Sequence, residues 1–323
     1  MRFGITAEQR AFAEALDDLL TEADVPAVDR AVADGKADSA VALWARLADM
    51  GVPALLVPEV YGGIGGTAVD LVVAFERLGC HGVPGPWIET AALAAVVATD
   101  GRLLSRIADG SARVSVAAPP WAPYALDCAL ATDVFLLTAT GLAPATPGER
   151  LWSVDPTRTP WSVVAAEPEA PVDPIVRGRG LDTAALACAA MLVGAADQML
   201  AVTVEYVGQR RQFGRVIGEF QAVKHALADV RVAVDFARPL VHGAAQALAA
   251  GDLIAPREVS AAKVAAATAA ARAATAGLQA HGAIGYTQEA DLSIWYLRTR
   301  ALLGAWGTVG EHRARVLDCL TAV

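Results

Sequence analysis

Charge is scarce in this chain: 19% of its 323 residues are Asp, Glu, Lys or Arg, against 55% hydrophobic. That balance excludes disorder as a global description, because so apolar a chain can bury enough surface to offset the entropy of folding. Basic runs are missing as well. Lys and Arg number 26 against 35 Asp and Glu, for a formal net charge of −9, and no cluster has the footprint of a nucleic-acid or anionic-lipid surface. There are four cysteines, Cys80, Cys128, Cys188 and Cys319, with no CxxC pair and no neighbouring histidine. Metal and redox motifs are therefore not signalled, and all four are expected to be ordinary buried thiols. Long charge-free runs are lacking too. The longest extends only from Ala273 to Gln288 and contains a histidine and two glutamines, short of the roughly 18 apolar residues of a spanning helix. Glu8 interrupts the N-terminal segment before the apolar core of an export signal can form. The expectation is a cytoplasmic protein with neither membrane nor nucleic acid as partner.

What is abundant is small and apolar. A mean hydropathy of +0.41, carried by alanine and valine, reads as tightly packed helices, and the length suggests roughly two domains. Thr6 with Gln9 forms a capping box, in which the two side chains satisfy each other's free backbone N–H groups at a helix start. Further helices are expected around Val41–Met50, ending at Gly51, and around Val69–Leu78. Between them lies Gly63-Ile64-Gly65-Gly66-Thr67-Ala68, which fits the dinucleotide pattern G-x-G-x-x-A. Pro58 and Glu59 precede it where that fingerprint needs a buried strand, so it reads as a turn between helices.

From residue 113 to 178 prolines concentrate, and short β-prone runs appear at Val114–Val116, Asp133–Leu137 and Trp152–Val154. Beyond Asp182 the three- and four-residue spacing of Cys188, Met191, Leu192, Ala195, Met199, Val202 and Tyr206 marks one face of a long helix. Others should cover Glu219–Ala250, Pro256–Gln279, Thr287–Leu303 and Gly307–Thr321. The chain thus divides into 1–112 (helical), 113–178 (β) and 179–323 (helical bundle), a mainly α fold with a small β domain.

Three motifs then fall in order along the chain. Arg210-Arg211-Gln212-Phe213-Gly214, with Ile217, Phe220 and Gln221 beyond it, resembles the R-x-Q-F-G-x-x-I-x-x-F-Q of the acyl-CoA dehydrogenase family. Gln279-Ala280-His281-Gly282-Ala283-Ile284-Gly285-Tyr286-Thr287 is similar to that family's Q-x-H-G-G-x-G-Y-T, and Leu297-Arg298 to its L-R-D-A. Trp44 to Gly79, with the Leu-Val-Pro-Glu run and Tyr61-Gly62-Gly63, resembles its first helical domain. The resemblance implies an N-terminal helical domain, a middle β domain and a C-terminal helical bundle, with FAD lying across a subunit interface. It places Arg210, Gln212 and Phe213 on the FAD pyrophosphate of the adjacent subunit, where a guanidinium fork suits phosphate oxygens. Gln279 and Gly282 would touch the adenosine half, although Ala283 replaces a second family glycine. Thr308 is retained from a Y-E-G-T motif and could also contact FAD. His281 reads as a turn histidine packed between helices.

Departures from the family pattern matter as much. Nothing in the β segment matches the T-E-P-x-x-G-S-D stretch or the tryptophan-containing strand that hold the flavin ring, and the segment is short, a truncated β domain. The base that removes the substrate's α-proton is a carboxylate. One family position for it holds Trp306 here, in Ala305-Trp306-Gly307-Thr308, and the other holds Ala184. No catalytic residue is assigned. Trp306 reads either as a core aromatic or as a residue that shapes the vacant pocket. Glu289 and Asp291 match structural positions, and Glu311, one turn beyond Thr308, is the carboxylate that could substitute.

The resemblance includes actinobacterial heterotetrameric (α2β2) acyl-CoA dehydrogenases of steroid catabolism, in which one subunit is likewise short and degenerate. It implies a chain that lends the pyrophosphate and adenosine side of the FAD site, while a homologous partner supplies the ring pocket and base and the acyl-CoA is desaturated between Cα and Cβ. Two alternatives remain at this stage: a self-sufficient homo-oligomeric flavin oxidoreductase using Glu311, and a flavin-free structural or binding paralogue.

Overall fold

A computed structural model describes residues 4–287 and 290–321; Glu289 lies outside them. The N-terminal helical domain opens at the expected capping box, with Gln9 N donating to Thr6 Oγ1 (3.1 Å) and Thr6 N to Gln9 Oε1 (2.9 Å). It contains α1 (Ala7–Glu22), α2 (Val25–Ala33), α3 (Asp38–Asp49) and α4 (Ala68–His81), then a π-helical turn (Ile88–Ala94) running into α5 (Ala95–Val97), and α6 (Gly101–Ala108). The glycine-rich run is a turn between α3 and α4, closed by a second capping box of Thr67 and Asp70. Two of these elements leave no periodic trace in the sequence. α2 has nine residues, too few for a clear stripe, and Ile88–Ala94 is buried on every side, so apolar residues occupy all its faces.

The β domain is one sheet in the order β1 (Val114–Ala117), β3 (Asp133–Leu137), β4 (Gly141–Arg150), β5 (Pro160–Ala165), β2 (Ala125–Leu126), with β6 (Ala170–Pro171) also on β4. Only β1 and β3 run parallel. Trp152–Val154 is not a strand, contrary to its β-prone composition. It lies in the connection between β4 and β5, with Trp152 exposed. Between β2 and β4, β5 pairs along most of its length with the proline-containing β4, where Pro147 faces Val163 beside a register shift that tolerates missing N–H donors.

The C-terminal region begins with α7 (Pro174–Gln209), 36 residues and therefore about 54 Å long. It starts at Pro174 rather than Asp182, because Asp173 caps the N–H groups of Ile175 and Val176 and Pro174 suits the first helical position. α8 (Gln221–Ala249), α9 (Ala255–His281), α10 (Leu292–Gly304) and α11 (Val309–Thr321) follow. By length and composition α7 could cross a membrane, which the longest charge-free run did not suggest, yet 78% of its most apolar 18 residues are buried. It packs along α4 and α9. At the crossing with α4 a Cβ on Gly194 would overlap the Glu76 carbonyl oxygen, and one on Gly79 would overlap that of Met191. The two backbones are in direct contact.

A buried cation joins the three parts of the chain. Arg298 on α10 donates to Asp155 and Thr157 after β4, to Asp29 on α2 (2.9 Å) and to the Gly82 and Val83 carbonyls after α4 (3.5 and 2.8 Å). All five guanidinium donors are used. The cysteines correct one expectation: only Cys188 is buried, Cys80 and Cys128 are half-buried, and Cys319 is exposed at the end of α11, where a thiol faces solvent.

Candidate functional site

Helix α7 ends where Arg210 turns to extended backbone (φ −69°, ψ 127°). Beyond it β7 (Arg211–Gln212) and β8 (Arg215–Val216) form a minimal hairpin. Its two loop residues, Phe213 and Gly214, both have positive φ, 52° and 80°, as a two-residue hairpin turn requires. For an aromatic residue that backbone is uncommon and strained. The hairpin is pinned from outside its own ladder: Ile217 N donates to the Arg210 carbonyl (2.8 Å), and the Arg215 guanidinium lies 4.0 Å from the centre of the Phe220 ring. Phe213 is nevertheless 90% exposed, and the exposed Arg210 guanidinium makes no hydrogen bond or ion pair among the described residues.

Below the hairpin, α8 and α9 enclose a surface cavity of about 420 Å³ whose walls include Gln212, Phe213, Phe220 and Gln279. Gln212 and Phe213, neighbours in sequence, thus share one cavity with the distant Gln279. Arg210, Gly282 and Thr308 are not among its lining. Gly282 follows as the C-cap of α9 (φ 64°, ψ −140°), with no atom within 4 Å of where its Cβ would stand. His281 beside it stacks on Tyr206 at 4.1 Å and bonds through Nδ1 to the Gly277 carbonyl.

Both family positions for the base are sealed. Ala184 is buried inside α7, and Trp306 is buried at φ 57° in the connection from α10 to α11. That connection is held by cations and polar groups from α9 and α11. Lys263, itself buried, donates to the Leu302 and Gly307 carbonyls (3.2 and 3.4 Å), and His312 donates through Nε2 to the Trp306 carbonyl (2.9 Å) while Nδ1 faces Ser260 Oγ (3.1 Å). Burial, helped by the nearby Lys263 and Arg315 cations, pushes His312 down to about 4, so at neutral pH it is an uncharged brace. Thr308 and Glu311 form a capping box on α11: Thr308 N donates to Glu311 Oε2 (2.7 Å) and Glu311 N to Thr308 Oγ1 (3.2 Å). Hydrogen bonds from the Thr308 backbone and hydroxyl hold the Glu311 carboxyl below its usual value. A helix cap with a depressed pKa is poorly suited to taking a proton.

One charged cluster escaped the sequence reading: Glu89 on the π-helical turn, Asp127 after β2 and Arg158 before β5, all buried. A single carboxylate in the otherwise uncharged run Trp87–Ala98 was the available signal, since an apolar segment rarely buries a lone charge without a partner.

The comparisons agree with this layout. Residues 6–102 match the family described as acyl-CoA dehydrogenase, N-terminal domain, and residues 175–319 match acyl-CoA dehydrogenase, C-terminal domain. Acyl-CoA dehydrogenase IpdE2 of Mycobacterium tuberculosis is 33% identical over 299 residues, covering 90% of each chain. Among solved structures, the ChsE4–ChsE5 complex from the same organism has a chain of like fold (TM-score 0.84, 20% identity, 100% of both chains). So does the Tcur3481–Tcur3483 steroid ACAD G363A variant (TM-score 0.87, 23% identity, 98% of both). Matched at both ends and alike over nine-tenths of a curated relative, the protein belongs to the acyl-CoA dehydrogenase family, FAD-using oxidoreductases that act on the CH–CH bond of acyl-CoA thioesters.

Proposed function

We propose that this chain is the non-catalytic subunit of a heteromeric acyl-CoA dehydrogenase, of α2β2 form, and that it holds the pyrophosphate and adenosine side of a FAD shared with a homologous partner. Arg210, Gln212 and Phe213 would bind the pyrophosphate end, Gln279 and Gly282 the adenosine end, and Thr308 would make a further contact. The observation that carries the reading is a contrast within one chain: an exposed cofactor edge, on which Gln212, Phe213 and Gln279 line one cavity, beside two base positions filled by buried Ala184 and Trp306.

The residues present fit that half of the cofactor. Arg210 is exposed with its donors free among the described residues, as a phosphate ligand should be before it meets its anion. The open space over Gly282 admits a close approach to backbone. FAD, when bound, supplies the acceptor for the substrate's β-hydride. This chain's residues bind and orient it, whereas removal of the α-proton falls to the partner. The partner also holds the acyl-CoA, and a bulky steroid-derived acyl group is the substrate class we infer, in line with the solved steroid ACAD of like fold.

The test is expression of this chain alone and with a homologous dehydrogenase subunit from the same source, followed by flavin absorbance and acyl-CoA oxidation with an artificial electron acceptor. Flavin and activity are expected in the co-purified complex only. A yellow, active preparation of this chain alone would overturn the proposal.

A further inference from the structure

Two arginines, Arg298 and Arg158, are buried to the same degree, each with its side chain 4% exposed. Arg298 uses all five donors on oxygens of the protein. Arg158 makes one side-chain hydrogen bond among the described residues, to Glu89 Oε1 (2.9 Å), and its other terminal nitrogen stands 3.9 Å from Asp127 Oδ2. Four of its donors are therefore unused among the described residues and available to an acceptor from outside the chain. Arg158 is also part of the wall of a cavity of about 200 Å³, together with Trp121, Tyr124, Leu126, Pro160 and Ala301. The cavity lies between the β domain and the end of α10, apart from the hairpin edge.

From this geometry we infer that the cavity is a binding site for a small neutral carbonyl compound, whose oxygen accepts from Arg158 and whose apolar body lies against Trp121 and Tyr124. The charge around Arg158 selects the ligand class. Glu89 and Asp127 already place two carboxylates beside one guanidinium, with Glu89 Oε2 and Asp127 Oδ2 lacking a hydrogen-bond donor among the described residues, so an anionic ligand would be a third acidic group. Burial above all, with a smaller push from the Glu89 charge, raises Asp127 to about 7 against the pull of Arg158. A cation offers no lone pair to the guanidinium. A ketone or carboxamide meets both conditions, and the size of the cavity confines it to a few carbons beyond the carbonyl or to one ring.

Three probes of one shape separate these cases: benzamide, benzoate and benzylammonium, titrated calorimetrically into the full chain at neutral pH. Benzamide is expected to bind saturably, with benzoate and benzylammonium weaker by about tenfold or more, the scale of a lost or opposed charge-assisted hydrogen bond. Ala301→Leu, which adds bulk to the cavity wall on α10, should weaken benzamide by at least about tenfold, with thermal unfolding confirming that the variant folds. Arg158→Lys, which keeps the charge with fewer donors, should do the same if it folds; the Ala301 variant decides the matter if it does not. Three results would each overturn the inference: no saturable benzamide binding, benzoate or benzylammonium as tight as benzamide, or benzamide affinity indifferent to Ala301→Leu.

Discussion

Arg298 and Arg210 are the same residue type put to opposite uses. The first is sunk among Asp29, Asp155, Thr157 and two carbonyls from the N-terminal helices, with every donor occupied. The second stands at the end of α7 with its guanidinium unpaired among the described residues. Burial alone does not separate structural from functional charge; the count of satisfied donors does. A saturated guanidinium fixes elements relative to one another, and an unsaturated one is a request for an acceptor from outside the chain. In this family member the saturated kind holds the scaffold, while the unsaturated kind at Arg210 stands on the edge that the proposed function gives to the cofactor.

The comparison can be broken most forcefully at its buried end. Arg298→Leu leaves Asp155 and Asp29 without their shared cation, so a loss of about 3–5 kcal/mol is expected in the urea unfolding free energy. A loss below about 1 kcal/mol would mean that the cluster does not hold the three parts together. Acid should act next. Hydrogen bonding and charge from His242, Arg238 and Arg77 outweigh burial and bring Glu76 from 4.5 down to about 2. Its folded pKa lies below its unfolded one, so the stabilisation is complete above pH 4.5 and is lost as pH falls from there through 2, by roughly 3 kcal/mol. Glu76→Gln should flatten that part of a stability-against-pH curve.

Gly194→Ala forces a methyl onto the Glu76 carbonyl at the crossing of α4 and α7, for an expected cost of about 1–3 kcal/mol by thermal unfolding. Smaller still is Glu311→Gln. Glutamine can keep the capping box with Thr308, so acyl-CoA oxidation by the complex should hold within about twofold. A drop of about a hundredfold, the scale of a lost general base, would restore Glu311 as the proton acceptor.

Much of the scaffold was legible because it rests on local signals. The Thr6–Gln9 cap and the stripe on α7 are written in short-range spacing, and the R-x-Q-F-G motif pointed to the edge that the proposed function gives to the cofactor. The resemblance assigned Gln279 and the pair Gln212 and Phe213 to two ends of one cofactor, and only the structure shows them on one cavity, since no spacing rule connects residues so far apart in sequence. The parts that stayed hidden are those set by tertiary contact. The π-helical turn is buried all round, and β4 is a strand in spite of Pro144 and Pro147 because β3 and β5 flank it. Arg158 lies in a proline-rich stretch where nothing local reveals that Glu89, 69 positions earlier, is its partner.

The most direct test of the account is flavin content in the purified heteromer carrying Arg210→Ala. Arg210 is exposed and unpaired among the described residues, so the variant should fold and assemble with a stability change below about 0.5 kcal/mol while losing the flavin absorbance of the wild-type complex. An Arg210→Ala complex that retains full flavin would contradict the assignment of this edge to the FAD pyrophosphate.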